Sequence, residues 1–183
     1  FQEFMSYLTQ FPKQYSVLLP IFYYICEKQR TQDELIRPPY LGETSPSMFR
    51  VQSVIFVTSG KPTLTINGQQ HALTSGSYAY IPAGTNWTFS NNDTTTTSFH
   101  WIRKRYAAVD GIDQPDPFIT SDQDVEPSAM PDTDGRWATS HFVDPADMRL
   151  DMHVNIVTFQ PGGTIPFAET HVMEHGLFVL CGK

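Results

Sequence analysis

The chain has 183 residues and a formal net charge of −7; 40% of its residues are hydrophobic, 13% aromatic and 17% charged. This composition predicts a globular protein with a packed core and excludes a disordered chain. The acidic balance argues against nucleic acid or an anionic membrane as the main partner. The two cysteines, Cys26 and Cys181, are too few for a disulfide framework, which favours a reducing compartment.

The first 50 residues do not give a firm assignment and are compatible with one or two strands or a short helix. Their most apolar stretch, from Tyr15 to Cys26, is too short to cross a bilayer and contains Pro20. The N-terminus lacks the basic start and the small-residue cleavage site of a signal peptide. We therefore expect a cytoplasmic protein.

Residues 51–106 have the pattern of short β-strands separated by turns. Asn67-Gly68 is a strong signal for a tight hairpin, and Pro82-Ala83-Gly84 predicts a further turn. We find no convincing helical period, so this part is predicted to form an antiparallel barrel or sandwich. Strands are predicted at 54–57, 63–66, 69–73, 77–81, 87–89 and 98–102.

The second half of the chain repeats this layout after a connection that is rich in proline and aspartate. Residues 107–135 are predicted to be this exposed linker. Strand-like sequence resumes at 150–159, is followed by Pro161-Gly162-Gly163, and returns at 177–180. We predict a first domain at 1–106 and the beginning of a second at 136–183. The chain starts at Phe1 and ends soon after its last predicted strand, so we expect it to be a fragment.

The sequence from Glu169 to His175 contains the candidate metal ligands. Alternate side chains of a strand share a face, so Glu169, His171 and His175 would point one way and Glu174 the other. A carboxylate and two imidazoles suit a divalent metal such as Mn, Fe or Zn. The alternative is a solvated strand with no metal.

The spacing around these residues resembles the first cupin motif, G-x5-H-x-H-x3-E-x6-G. Gly163, Glu169, His171, His175 and Gly182 fit every interval, with glutamate and histidine exchanged. The second cupin motif, G-x5-P-x-G-x2-H-x3-N, is matched in the first half by Gly76, Pro82, Gly84 and Asn91, with Trp87 in the histidine position. The first-motif ligand positions of that half fall on Ser47, Phe49 and Ser53. The resemblance implies an all-β bicupin whose first barrel is metal-free, with Trp87 filling the ligand position, and whose second barrel is truncated.

A bicupin with this permuted ligand set resembles the (S)-ureidoglycine aminohydrolases, manganese enzymes of allantoin and purine breakdown. The resemblance implies that Glu169, His171 and His175 bind Mn²⁺ together with a glutamine beyond Lys183. It implies hydrolysis of (S)-ureidoglycine to (S)-ureidoglycolate and ammonia, with Glu169 also a candidate catalytic residue. It further implies a small ureido acid as substrate and a homo-oligomer at full length. The 183-residue chain alone is expected to be inactive.

Two other functions remain open from the sequence: a non-enzymatic bicupin for storage or ligand binding, and an iron cupin dioxygenase. The remaining histidines and basic residues have structural interpretations. His153 is predicted to pack, and His71 and His100 to be surface or core residues. Arg103-Lys104-Arg105 is interpreted as a solvated strand end rather than an anion site.

Overall fold

The structure is a computed structural model, and it describes residues 51–168 and 176–181 together with the backbone of three earlier strands. This part of the chain consists of β-strands, turns and one 3-10 turn at Asp122–Asp124. Within it, no helix has the length and apolar character needed to cross a membrane. The all-β fold class predicted from the sequence is confirmed.

The described strands are, in chain order, β1 (Tyr15–Pro20), β2 (Cys26–Arg30), β3 (Leu35–Ile36), β4 (Val51–Ser59), β5 (Thr63–Ile66), β6 (Gln69–Ala72), β7 (Ser77–Ile81), β8 (Trp87–Ser90), β9 (Thr97–Arg105), β10 (Phe118–Ser121), β11 (Ser128–Ala129), β12 (Trp137–His141), β13 (Val154–Phe159) and β14 (Phe178–Cys181).

The chain divides into two compact units. The first unit contains Tyr23–Asp124 and Asp147–Met152, and the second contains Phe1–Phe22, Val125–Ala146 and His153–Lys183. These boundaries differ from the predicted division into 1–106, 107–135 and 136–183. Strand pairing explains the difference at the N-terminus, because β1 lies between β13 and β14 in the sheet of the second unit.

The first unit is built from two sheets with the strand orders β10-β7-β4-β9-β2 and β3-β8-β5-β6. Because side chains alternate along each strand, one face of each sheet faces the other and encloses the core. Ile55, Ala79 and Phe99 come from the first sheet, and Leu64 and Phe89 from the second. Phe89 and Phe99 meet with their ring centroids 4.4 Å apart. Alternating apolar residues of the two sheets therefore form a single core between them.

The tight hairpin predicted at Asn67-Gly68 is confirmed. Strands β5 and β6 pair with Ile66 opposite Gln69, which leaves only Asn67 and Gly68 in the loop. Both residues have positive φ, 49° and 85°. Two successive left-handed residues are the conformation that Asn-Gly favours in a two-residue hairpin, since its twist matches that of the strands.

The segment predicted to be an exposed linker is only partly a linker. Its strand β10 pairs with β7 at the edge of the first unit, with Phe118 opposite Tyr80. The Phe118 ring stacks on Tyr80 with a centroid distance of 5.5 Å. Further on, β11 pairs with β12 in the second unit. The aspartates and prolines of this region thus flank two short strands that belong to different units.

The strand predicted at 150–159 begins later than expected, at Val154. The sequence from Asp147 to Met152 belongs to the first unit, although the chain on either side of it belongs to the second. Hydrogen bonds from Gln52 and Lys104 hold Asp151 in that unit. Tertiary contacts therefore override the strand-like alternation of residues 150–153.

Gly60 and Gly68 provide a matched test of how closely the first unit is packed. Both have positive φ, 91° and 85°, but a Cβ on Gly60 would lie 2.7 Å from the Thr97 Cα, whereas one on Gly68 would meet nothing within 4 Å. We expect Gly68→Ala to lower the free energy of unfolding by about 1 kcal/mol through backbone strain alone. Gly60→Ala should lose at least twice as much, roughly 2–3 kcal/mol, because backbone atoms must also move. Equal losses in guanidinium unfolding would contradict the close approach at Gly60.

Candidate functional site

The three predicted metal ligands, Glu169, His171 and His175, lie outside the described residues. Among the residues that are described, no three His, Cys, Asp or Glu side chains are placed to hold a metal ion together. The predicted ligand set therefore stays a prediction. Phe167, two positions before Glu169 in the sequence, is described, and its ring lies against Trp137 with a centroid distance of 5.8 Å.

Trp87, at the histidine position of the second cupin motif, is part of the first unit's core. Its side chain is buried and meets Trp101 edge to face, with ring centroids 5.5 Å apart and an interplanar angle of 89°. The Trp101 indole N–H donates to the Ser53 hydroxyl at 3.2 Å, so the nearby polar atoms bond to each other. The structure thus places an indole where the motif has an imidazole.

Asn91, which the second cupin motif places at its end, shapes the turn between β8 and β9. It is fully buried. Its amide nitrogen donates to the Thr95 carbonyl at 2.7 Å, and its amide oxygen accepts from the Asp93 backbone N–H at 3.1 Å. The motif asparagine therefore has a structural role here, because a short amide side chain replaces backbone partners in a tight turn.

A chain of polar contacts lies on the face of the first sheet that points away from its core. The Tyr80 hydroxyl donates to the Gln52 amide oxygen at 3.0 Å, and the Gln52 amide nitrogen donates to the Asp151 carboxylate. The Lys104 ammonium contacts the same carboxylate at 3.2 Å and donates to the Asp151 carbonyl at 2.5 Å. Gln52 and Tyr80 are fully buried, and each satisfies the other. This cluster anchors the Asp147–Met152 segment.

The basic run Arg103-Lys104-Arg105 is therefore more than a solvated strand end, since Lys104 forms an ion pair. Arg103 lies over the Trp101 ring, with 4.5 Å between its guanidinium carbon and the ring centroid, and Arg105 is exposed. Alternation along β9 places Lys104 on one face and Arg103 and Arg105 on the other. They make separate contacts.

Two tyrosines on the same face have strongly perturbed hydroxyl groups. Burial raises the pKa of Tyr78, and the neighbouring Tyr80 adds to the effect. Burial also raises the pKa of Tyr80, and the nearby Asp151 carboxylate raises it further. Both phenols therefore bind their protons more tightly in the folded chain than in the unfolded one.

The remaining histidines occupy different environments. His100 is fully buried in β9, whereas His71 and His153 are partly exposed. His71 lines a cavity of about 380 Å³ whose wall also includes Asn67, Gln69 and Phe118. The interpretation of His71 and His100 as surface or core residues agrees with these positions.

A polar group that the sequence did not reveal lies on β12 and β13 of the second unit. His141 pairs with Asn155, and Trp137 pairs with Phe159. The Trp137 Nε1, His141 Nδ1 and Asn155 Oδ1 atoms are buried and have no hydrogen-bond partner. The sequence signal is weak: Asn155 and Thr158 are polar residues in the otherwise apolar strand Val154–Phe159.

Known proteins resemble this chain in both sequence and fold. Residues 42–103 match the Cupin domain family. The chain is 29% identical to the (S)-ureidoglycine aminohydrolase of Escherichia coli and 31% identical to a probable (S)-ureidoglycine aminohydrolase of Oryza sativa, in each case over 73% of its own length. It covers 50% and 41% of those relatives, so it spans about half their length or less.

A solved structure gives the same result for the fold. The putative glyoxylate-induced protein of Pseudomonas aeruginosa is 40% identical to the chain, with a TM-score of 0.71 over 89% of this chain and 62% of the other. The chain therefore has the cupin fold, as predicted. Its predicted resemblance to the (S)-ureidoglycine aminohydrolases is also confirmed.

The buried tyrosines predict an alkaline limit to stability. Below pH about 10 the phenols are protonated in both states, so they add no pH dependence. Above it, unfolded tyrosines ionise while Tyr78 and Tyr80 keep their protons, so the free energy of unfolding must fall as pH rises. We expect the double variant Tyr78→Phe/Tyr80→Phe to show a flatter decline between pH 9 and 11 in urea unfolding. An unchanged slope would contradict the tight proton binding.

Proposed function

We propose that this cupin-fold chain forms part of a metal-dependent aminohydrolase that converts (S)-ureidoglycine to (S)-ureidoglycolate and ammonia. One observation carries the proposal: the sequence Glu169-x-His171-x3-His175 occurs at cupin-motif spacing in a chain whose relatives are named (S)-ureidoglycine aminohydrolases. The matched relatives extend beyond the aligned region, so the activity is proposed for the protein produced from its complete reading frame.

The proposed donor set fits a hard or borderline divalent cation. One carboxylate oxygen and two imidazole nitrogens are ligands that Mn²⁺, Fe²⁺ and Zn²⁺ all accept, and an oxygen donor favours manganese over softer metals. When bound, Mn²⁺ supplies Lewis acidity and a fixed template for a small acid. We assign metal binding to Glu169, His171 and His175.

The reaction itself exchanges one bond at the aminal carbon. The carbon–nitrogen bond to the amino group breaks, a carbon–oxygen bond to water forms, and a proton from that water ends on the departing ammonia. No oxidant or further reactant is needed. A carboxylate beside the amino group can accept and return this proton, and we assign that role to Glu169.

The two alternatives predict different observables. A storage or ligand-binding bicupin would use the metal to stabilise its fold and would release no ammonia. A cupin dioxygenase would need iron and would consume dioxygen. Glutamate in the first ligand position and the names of the relatives both favour the hydrolase over these two functions.

Glu169→Gln in the protein produced from its complete reading frame is the direct test. The substitution keeps the side-chain volume and removes the charge of a residue proposed both as metal ligand and as acid–base group, so we expect ammonia release from (S)-ureidoglycine to fall at least about 100-fold. Glu174→Gln is the matched control, since alternation places Glu174 on the other face, and it should retain activity within about threefold.

Two results would overturn the assignment. Equal activity in both variants would remove Glu169 from the site. Absence of ammonia release in the unsubstituted, manganese-loaded protein, combined with a lower melting temperature in Glu169→Gln, would favour a structural metal and a non-enzymatic bicupin.

Metal removal separates the hydrolase from the dioxygenase. We expect chelation to abolish ammonia release and added Mn²⁺ to restore it, because the donor set binds metal reversibly and in competition with protons. Substrate-dependent oxygen uptake in the iron-loaded protein, with no ammonia formed under nitrogen, would instead identify a dioxygenase. Both outcomes can be followed with an oxygen electrode and an ammonia assay.

A further inference from the structure

The unpartnered polar atoms of the second unit are concentrated on one face of one strand pair. Directly opposed residues in antiparallel strands share a face, so Trp137, His141, Asn155 and Phe159 all point the same way. Of the described residues, this face contains three buried polar atoms without a hydrogen bond: the Trp137 Nε1, the His141 Nδ1 and the Asn155 Oδ1.

Such a grouping is unusual because buried polar atoms are normally satisfied. In the first unit the fully buried Gln52 and Tyr80 bond to each other, although the buried Thr97 Oγ1 there has no hydrogen-bond partner. A buried donor or acceptor without a partner costs about 1–3 kcal/mol, so its presence indicates a strained core or a position that a ligand completes. The location of all three atoms on one face favours the second interpretation.

The His141–Asn155 pair has the geometry of a two-point contact. The Cβ atoms of directly opposed residues lie about 4.5–5.5 Å apart, so both side chains can reach one small group. The Asn155 amide oxygen accepts a hydrogen bond, whereas the His141 Nδ1 donates or accepts according to its tautomer. The group that fits both offers an N–H donor next to a carbonyl acceptor.

The charge of the face determines the class of ligand. The residues that share it on β12 and β13 are Trp137, Thr139, His141, Asn155, Val157 and Phe159, none with a permanently charged side chain. A carboxylate would therefore find no fixed cation on these two strands. A neutral amide-like group can be bound without one, since only hydrogen-bond donors and acceptors have to be matched.

We infer that His141 and Asn155 form a binding position for the ureido group of the substrate. This assignment rests on the proposed function and deepens it, because the ureido group combines N–H donors with a carbonyl acceptor. Phe167 packs on Trp137 of the same face, at the other end of β12 from His141, and stands two residues before the predicted ligand Glu169 in the sequence. In this role His141 and Asn155 are positioning residues and take no part in bond breaking.

Asn155→Leu and His141→Phe test the inference, with Ser140→Ala as the control. Both substitutions keep approximate side-chain volume and remove the polar atoms, whereas the buried Ser140 lies on the other face of the same strand. Kinetics with (S)-ureidoglycine and the Kd for N-carbamoylglycine, a stable ureido acid, are measured on the manganese-loaded protein from its complete reading frame. We expect KM and Kd to rise about tenfold or more in both variants and to stay within about twofold in Ser140→Ala.

Melting temperature distinguishes a binding role from a structural one. Removing an unpartnered buried polar atom does not cost a hydrogen bond, so Asn155→Leu should keep or raise the melting temperature while weakening the ligand. A lower melting temperature with unchanged Kd would show that the pair is structural and would overturn the inference.

The failures of the two proposals are distinguishable. If the unsubstituted protein releases no ammonia, the proposed function fails. If it releases ammonia but both variants keep the original KM and Kd, only the ureido position fails. Succinate, which has carboxylates but no ureido group, serves as the second probe. Equal weakening of succinate and N-carbamoylglycine would show that the pair does not select the ureido group.

Discussion

The register between β12 and β13 is the constraint on which the proposed His141–Asn155 binding position depends. Side chains alternate with a period of two, so a slip of one residue would move His141 and Asn155 to different faces. The apolar residues oppose such a slip. Trp137 stacks on Phe159 with a centroid distance of 6.2 Å, and the buried Val154 and Ile156 occupy the opposite face of β13. Hydrophobic burial thus sets the position of the polar pair.

In the first unit the same alternation separates an apolar core from a polar cluster on the opposite face of the larger sheet. One face of its larger sheet contributes Ile55 and Phe99 to the core, and the other contributes Gln52, Tyr80 and Lys104 to a polar cluster. There the hydrogen-bonding groups of the cluster find partners within the unit. Trp87, at the histidine position of the second cupin motif, packs against Trp101 in the interior.

The sequence predicts well those features that local chemistry determines. The hairpin at Asn67-Gly68 follows from the conformational preference of two residues, and β5 and β7 begin and end where alternation predicts them. Strand β13 begins at Val154, later than predicted, because Asp151 is held by Gln52, 99 residues earlier in the chain. Likewise, no local pattern indicates that β1 pairs with β13. Pairing between residues far apart in the chain decides these features, and no short stretch of the sequence indicates it.

The candidate site likewise has one part that is predictable from local sequence and one part that depends on pairing between distant strands. If residues 169–175 form a strand, alternation alone brings Glu169, His171 and His175 to one face, and the metal site is therefore a prediction from local sequence. His141 and Asn155 are 14 positions apart and become neighbours only through the β12–β13 register. The two assignments therefore rest on independent constraints, one within a strand and one between strands. The proposed substrate, with a metal-binding end and a neutral ureido end, would use both, because orientation at the reacting carbon depends on contacts at two separate points.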